Sequence, residues 1–179
     1  MQAYRLLKNT NTSFFLTGRA GTGKTTFIQN AQKEIKKNFV ILAPTGVAAI
    51  NAGGMTIHSF FGFEPKVLTP YDRASINRDN FKILRAADTI IIDEVSMVRC
   101  DVIDAINRTL QKCMRNTLPF GGKQMLFVGD MFQLEPIVSG DDKEEMKRLY
   151  GERKPFFFNA DVFSHITINP IELRQVYRQ

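Results

Sequence analysis

The octet Gly18-Arg19-Ala20-Gly21-Thr22-Gly23-Lys24-Thr25, behind the apolar run Phe14-Phe15-Leu16, leaves this chain few folds to choose from. A glycine-rich loop of that spacing leaves a buried strand and opens into a helix. Its glycines let successive backbone N–H groups turn toward phosphate oxygens, its lysine reaches the β- and γ-phosphates, and its threonine hydroxyl completes the coordination of a magnesium ion. Downstream, Phe27, Ile28, Ala31 and Ile35 recur at helical spacing, so the phosphates would sit on a positive helix N-terminus. Gly21, Thr22, Gly23, Lys24, Thr25 and Thr26 are thus candidate nucleotide contacts, with ATP and Mg2+ as the implied cofactors and Thr25 as a metal ligand. A glycine turn without a ligand is the alternative, and the strand before, the helix after and the Lys-Thr pair argue against it.

A second strand ends in chemistry as well. Ile90-Ile91-Ile92-Asp93-Glu94 is an apolar run closed by two acids, which places both at the carboxyl edge of a sheet, where the glycine-rich loop also opens. Asp93 is read as the magnesium ligand, and Glu94 as the group that orients and deprotonates the water attacking the γ-phosphate. Acids that merely cap the next helix are the competing reading. Phe127-Val128-Gly129-Asp130-Met131-Phe132-Gln133 is a third strand end. There Gln133 offers an amide that can sense a γ-phosphate, unless the Gly-Asp pair is simply a turn with a capping carboxylate.

With 179 residues, 44% hydrophobic and 23% charged, the chain can bury one sizeable core, so a single globular domain is expected. A formal charge of +6 permits a polyanionic partner and decides little alone. Cys100 and Cys113 show no Cys-x-x-Cys spacing and have too few histidines beside them for a zinc set, so they read as reduced, buried thiols. No secretory apolar region and no membrane-length run is visible, which gives no membrane partner and the cytoplasm or another nucleic-acid-containing reducing compartment as the expectation.

Apolar runs at 14–16, 39–43, 89–92 and 125–128 are each followed by a polar or glycine-bearing loop and predict buried parallel strands. Helices are predicted over 1–12, with Tyr4, Leu7 and Ala3 inward, over 25–37, and over 97–114, where Val98, Val102, Ile106, Leu110 and Met114 share a face. The alternation predicts an α/β P-loop NTPase with a doubly wound, mostly parallel sheet and helices on both faces. Pro65 and Pro70 interrupt 64–85, which reads as an excursion from the sheet, and Phe156-Phe157-Phe158 reads as a strand or the approach to one.

Taken in order, these motifs resemble the superfamily 1 helicases, most nearly the Pif-type DNA helicases of the 5′-to-3′ branch that also holds RecD-like motors. The resemblance spans nearly the whole chain. It rests on the glycine-rich loop, on Ala43-Pro44-Thr45-Gly46-Val47-Ala48-Ala49, Thr56-Ile57-His58-Ser59-Phe60, Ile92-Asp93-Glu94-Val95-Ser96-Met97, the stretch 129–134 and Tyr177-Arg178-Gln179. The segment 97–122, with Arg99, Asp101 and Pro119-Phe120-Gly121-Gly122, is similar to the one that sets the Pif type apart.

The resemblance implies a first RecA-like motor lobe over 1–179 that belongs with a second such lobe outside this chain. It implies that Pro44, Thr45 and Gly46 touch the backbone of single-stranded DNA, and that Thr56, His58, Ser59 and Phe60 form a second DNA-contacting element. Small residues can approach phosphates closely, and His58 and Phe60 offer flat faces. Core packing is the alternative for Phe60 and Phe61. It further implies that Gln2 reads adenine, with an idle terminal residue as the alternative, that Arg178 reaches the γ-phosphate, and that 64–85 occupies the place of a small duplex-parting wedge. The expected function is ATP-driven translocation on single-stranded DNA and unwinding at duplex junctions by a monomer, with no unwinding by this lobe alone. An AAA-type ATPase acting on protein, or a nucleotide- or single-strand-binding module without turnover, are the other readings.

Overall fold

Strands as short and as uniformly apolar as Thr89-Ile90-Ile91-Ile92 need cover on both faces, and the computed structural model provides it. The structure describes residues 2–175. In chain order these form α1 (Gln2–Asn9), β1 (Phe14–Thr17), α2 (Lys24–Glu34), β2 (Phe39–Ala43), α3 (Gly46–Ala52), β3 (Met55–Thr56), α4 (Ile57–Phe61), α5 (Arg78–Ala86), β4 (Thr89–Ile92), α6 (Cys100–Met114), β5 (Gln124–Gly129), α7 (Asp142–Tyr150) and β6 (Asn169–Glu172), with short 3₁₀ turns between some of them. The strands make one sheet in the order β3-β2-β4-β5-β1-β6. Every pairing in it is parallel.

Period-two alternation sends successive side chains to opposite faces. Ile90, Ile92, Met125 and Phe127 join a core with residues of α4, α5, α6 and α7, whereas Ile91, Leu126, Val128, Phe14 and Leu16 join a second core with α1 and α2. The doubly wound α/β architecture with helices on both faces is therefore present. Because all strands run the same way, all their carboxyl ends lie along one edge.

Several expected boundaries shift for local reasons. The helix predicted over 97–114 begins at Cys100, because Glu94 takes a left-handed conformation (φ 50) and a 3₁₀ turn over Val95–Met97 precedes it. The helix predicted over 25–37 ends at Glu34; Ile35 is extended, yet its side chain stays in the core. Within 64–85, α5 forms behind an Asn77 cap that accepts from Asn80 N at 2.8 Å. The Phe156-Phe157-Phe158 run is not a strand: Phe157–Asn159 is a 3₁₀ turn, and Phe156 only forms a single antiparallel bridge with Arg99. Strands β3 and β6 carry no sequence signal. The first is two residues long, and the second is a mostly exposed edge strand containing Pro170.

The remainder of the excursion is strapped to α6. The fully buried Asp101 carboxylate accepts from Leu68 N at 2.8 Å and from Arg99 Nε and Nη2 at 2.9 Å each. Arg99 Nη2 also donates to Lys66 O at 2.6 Å, and Arg108 Nη2 to Thr69 O at 2.9 Å.

Candidate nucleotide and nucleic-acid site

Strand order decides which loops meet. β1, β5 and β4 are neighbours, so the glycine-rich loop, the turn over 130–133 and the Asp93-Glu94 pair leave adjacent strand ends. They border a cleft of about 340 Å³ whose walls include Thr25, Thr45, Asp93, Glu94, Ser96 and Gln133.

The glycine-rich loop is built for close approach. Gly23 stands at the head of α2 with φ 88, a conformation that costs a side-chain-bearing residue, and its carbonyl accepts from Phe27 N at 2.8 Å. A Cβ at Gly18 would fall 2.7 Å from Leu173 O and 2.6 Å from Thr22 Oγ1, because the chain leaving β6 presses against the loop. Thr22 is buried and donates its hydroxyl to Arg19 O at 2.8 Å and its backbone N–H to the same carbonyl at 3.3 Å, so it braces the loop. Lys24 Nζ donates to Gly18 O at 2.6 Å and Arg19 O at 3.1 Å, which holds the ammonium over the loop. Thr25 and Thr26 are exposed in the first turn of α2.

Asp93 is 4% exposed, and its Oδ1 accepts from Glu94 N at 2.9 Å. Burial pushes its carboxyl up to about 6; the Glu94 N–H bond opposes this, the Glu94 charge adds to it, and the Lys24 charge opposes it. A buried carboxylate beside a threonine hydroxyl is an oxygen donor set that suits a hard cation completed by phosphate and water. Glu94 reaches the cleft from a left-handed backbone (φ 50), a strained state for a residue with a side chain and one that recurs at active sites. At the third strand end the turn reading holds, and Gln133 stands beside the cleft. Asp130 caps its own turn, with Oδ1 accepting from Phe132 N at 3.1 Å, and the turn leaves Gln133 exposed at the cleft.

Beyond β4 the same edge continues with β2 and β3, which carry 44–46 and 56–60. The Thr45 hydroxyl accepts from Ala48 N at 3.3 Å and the Thr56 hydroxyl from Ser59 N at 3.2 Å, so both side chains cap helices. Thr56 Oγ1 also donates to Ser59 Oγ at 2.8 Å. Gly46 is exposed, with open space where a Cβ would stand. A second groove of about 220 Å³ runs here between Pro44, Thr45, His58, Met97 and Arg99. His58 is half-buried, edge-on to Phe63; burial first and the Arg99 charge second lower its pKa against the pull of Asp101. Phe60 corrects an expectation: it is 2% exposed and packs edge-on to Phe61, so it belongs to the core and presents no stacking face. Gln2 is exposed on α1, and Arg178 lies outside the described residues.

Residues 3–166 match the sequence profile of the PIF1-like helicases. The chain belongs to the PIF1-like helicase family. Among its relatives is the ATP-dependent DNA helicase PIF1 of Candida albicans, 34% identical over 177 residues that make up 93% of this chain and 19% of that protein. The Pif1 of Bdellovibrio bacteriovorus is 39% identical over 128 residues, 69% of this chain and 29% of the relative. Among solved structures, Bacteroides Pif1 bound to single-stranded DNA is 40% identical with a TM-score of 0.92, covering 99% of this chain and 41% of that one. Bacteroides Pif1 with ADP-AlF3 and single-stranded DNA gives a TM-score of 0.93 at 40% identity, over 99% of this chain and 42% of that one. This PIF1-like chain thus spans under a third of the length of those two curated relatives.

Some of the residues around the two clefts are not singled out as site residues in the sequence, although Ser96, Met97 and Leu134 lie within its motifs. Asn51, Ser96, Met97 and Leu134 line the first cleft, and Met97 and Thr45 form a wall shared with the second groove. Nothing in the residue types announces them. The available signal was position, since Ser96 and Met97 directly follow the Asp93-Glu94 pair and Leu134 closes the stretch 129–134.

Proposed function

We propose that this chain is the ATP-binding first motor lobe of a DNA helicase that moves along single-stranded DNA and opens duplex junctions. The observation that carries this reading is the order of strand ends along one sheet edge. Lys24 and Thr25, Gln133, and Asp93 with Glu94 follow β1, β5 and β4, and the segments 44–46 and 56–59 follow β2 and β3 immediately beyond. Nucleotide chemistry and a nucleic-acid groove are neighbours with a shared wall.

The residues act as follows. Backbone N–H groups of the glycine-rich loop and the head of α2 bind the phosphates, and Lys24 places its charge at the β/γ junction. Thr25 and Asp93 would hold magnesium, which neutralises charge on the phosphates when bound. Glu94 accepts a proton from water as that water's oxygen bonds to the γ-phosphorus and the bond to the bridging oxygen of ADP breaks, giving ADP and phosphate. Gln133 lies where its amide can register the γ-phosphate. Arg178 and a second lobe, implied by the family resemblance, supply further positive charge and the other half of the track. Pro44 and Gly46, the backbone of Thr45 and Thr56, and His58 with Ser59 form this lobe's share of the DNA groove. Gln2 would read the adenine, and 64–85 would stand at the junction as a wedge.

Fluorescence titration of Mg-ATP and of labelled oligothymidylate into this chain tests the reading. Saturable nucleotide binding, together with weaker, salt-sensitive binding of the oligonucleotide, is expected. Nucleotide binding with no affinity for single-stranded DNA at low salt would favour the ATPase that acts on protein.

A further inference from the structure

Buried polar side-chain atoms nearly always have a hydrogen-bond partner, so one that lacks it calls for a reason. Among the described residues the hydroxyl of Ser96 is such an atom, shielded from solvent and unpartnered on a residue 2% exposed. A buried serine commonly bonds a backbone carbonyl three or four residues back. Ser96 does not; it sits in a 3₁₀ turn that the left-handed Glu94 (φ 50) separates from β4.

The turn is closely held. A Cβ built at Gly129 would lie 3.3 Å from Ser96 N, so β5 presses on it from one side, while on the other Ser96 lines the cleft with Thr25, Asp93, Glu94 and Gln133. Alanine would pack equally well and leave no polar atom unsatisfied. The core gives no reason for a hydroxyl here; the cleft does.

We infer that Ser96 is a positioning residue for hydrolysis, whose hydroxyl is left without a protein partner so that it can hold the attacking water once the γ-phosphate is in place. This rests on the nucleotide-hydrolysis reading of the cleft. A water held in a protein needs about two to four polar partners. Here it donates one hydrogen to the Glu94 carboxylate and the other to the Gln133 amide oxygen, accepts from Ser96 Oγ–H, and keeps one lone pair for phosphorus. A serine hydroxyl moves among its three staggered positions by a single torsion, so it turns into the cleft without backbone change.

The test compares wild type with Ser96→Ala for Mg-ADP, for Mg-ADP with aluminium fluoride, whose complex mimics the transferring phosphoryl group and its in-line water, and for thermal midpoint. The variant is expected to match wild type on Mg-ADP, to melt at the same or a higher temperature because an unsatisfied hydroxyl has been removed, and to bind the aluminium fluoride complex about tenfold more weakly. Equal affinity of both proteins for the aluminium fluoride complex overturns the inference, as does a lowered midpoint, which would show a structural partner for the hydroxyl. Failure of wild type to bind Mg-ADP at all would instead overturn the nucleotide reading beneath it.

Discussion

Asp93 is a carboxylate held in the wrong solvent for its charge, and that makes it a sensitive reporter of the site. Its folded pKa of about 6 lies above the ordinary 3.8, so the folded chain binds this proton more tightly than the unfolded one. The stabilising contribution is complete below 3.8 and is lost as the pH rises to about 6, a difference of about 3 kcal/mol by linkage. Asp93→Asn should therefore raise the thermal midpoint of the ligand-free chain at pH 7 and remove most of the difference between pH 4 and pH 7, while its nucleotide binding no longer responds to magnesium. An unchanged pH profile in the variant would mean that Asp93 is better solvated than its burial suggests. Among the described residues Lys24 donates to the loop carbonyls of Gly18 and Arg19, so Lys24→Ala should leave the midpoint almost unmoved and abolish tight Mg-ATP binding in the same titration. His58 titrates in the opposite sense: its lowered pKa makes its share of stability complete above 6.5 and lost as the pH falls. Being neutral at pH 7, it contributes contact more than charge to the groove. His58→Ala should weaken oligonucleotide binding with little change in its salt slope and leave Mg-ADP binding intact. Lost nucleotide affinity with normal DNA affinity would move His58 out of the groove.

Among the elements, the excursion over 64–77 shows how an irregular segment is given a fixed place. Its backbone is tied to α6 through Asp101, Arg99 and Arg108. Removing one partner of a buried, hydrogen-bonded ion pair typically costs about 3–5 kcal/mol, because the other charge and the backbone donor are left unpaired. Asp101→Ala should lose stability of that order in urea unfolding, and limited proteolysis of the still-folded variant should cut first within 64–77. Preferential cleavage elsewhere would show that the strap is not what orders the segment. The sequence announced Arg99 and Asp101 only as part of a family-like stretch; that they clamp a segment some thirty positions upstream is a tertiary fact. Periodicity found α2 and α6 but misplaced their ends, since Ile35 and Val98 are buried while lying outside the helices. An apolar side chain does not fix the backbone state, and reading it so made a strand of Phe156-Phe157-Phe158, of which Phe157 alone is buried while Phe158 is exposed.

Taken whole, the molecule is a parallel sheet that gathers its candidate site residues at one edge, those proposed for the nucleotide after β1, β5 and β4 and those proposed for the groove after β2 and β3. A lobe with only its own charges should hydrolyse slowly. Turnover by this chain is expected about 10³–10⁵ below that of a complete two-lobe PIF1-like helicase, with no unwinding of a forked duplex. Glu94→Gln should bind Mg-ATP as wild type does and abolish the residual turnover; efficient unwinding by the chain alone would refute the two-lobe reading. The sequence by itself determined the fold class, the phosphate loop, the acid pair and the buried strands, because a glycine-rich turn behind an apolar run and an acid pair closing another are local constraints that few structures satisfy. Only the tertiary structure decided that Phe60 is core and His58 is not, that the Thr22, Thr45 and Thr56 hydroxyls brace their own turns, and that Ser96 keeps a buried hydroxyl beside the Asp93-Glu94 pair. Those outcomes depend on which strands become neighbours and which faces close over them, and that is fixed by contacts distant in sequence that residue type does not record.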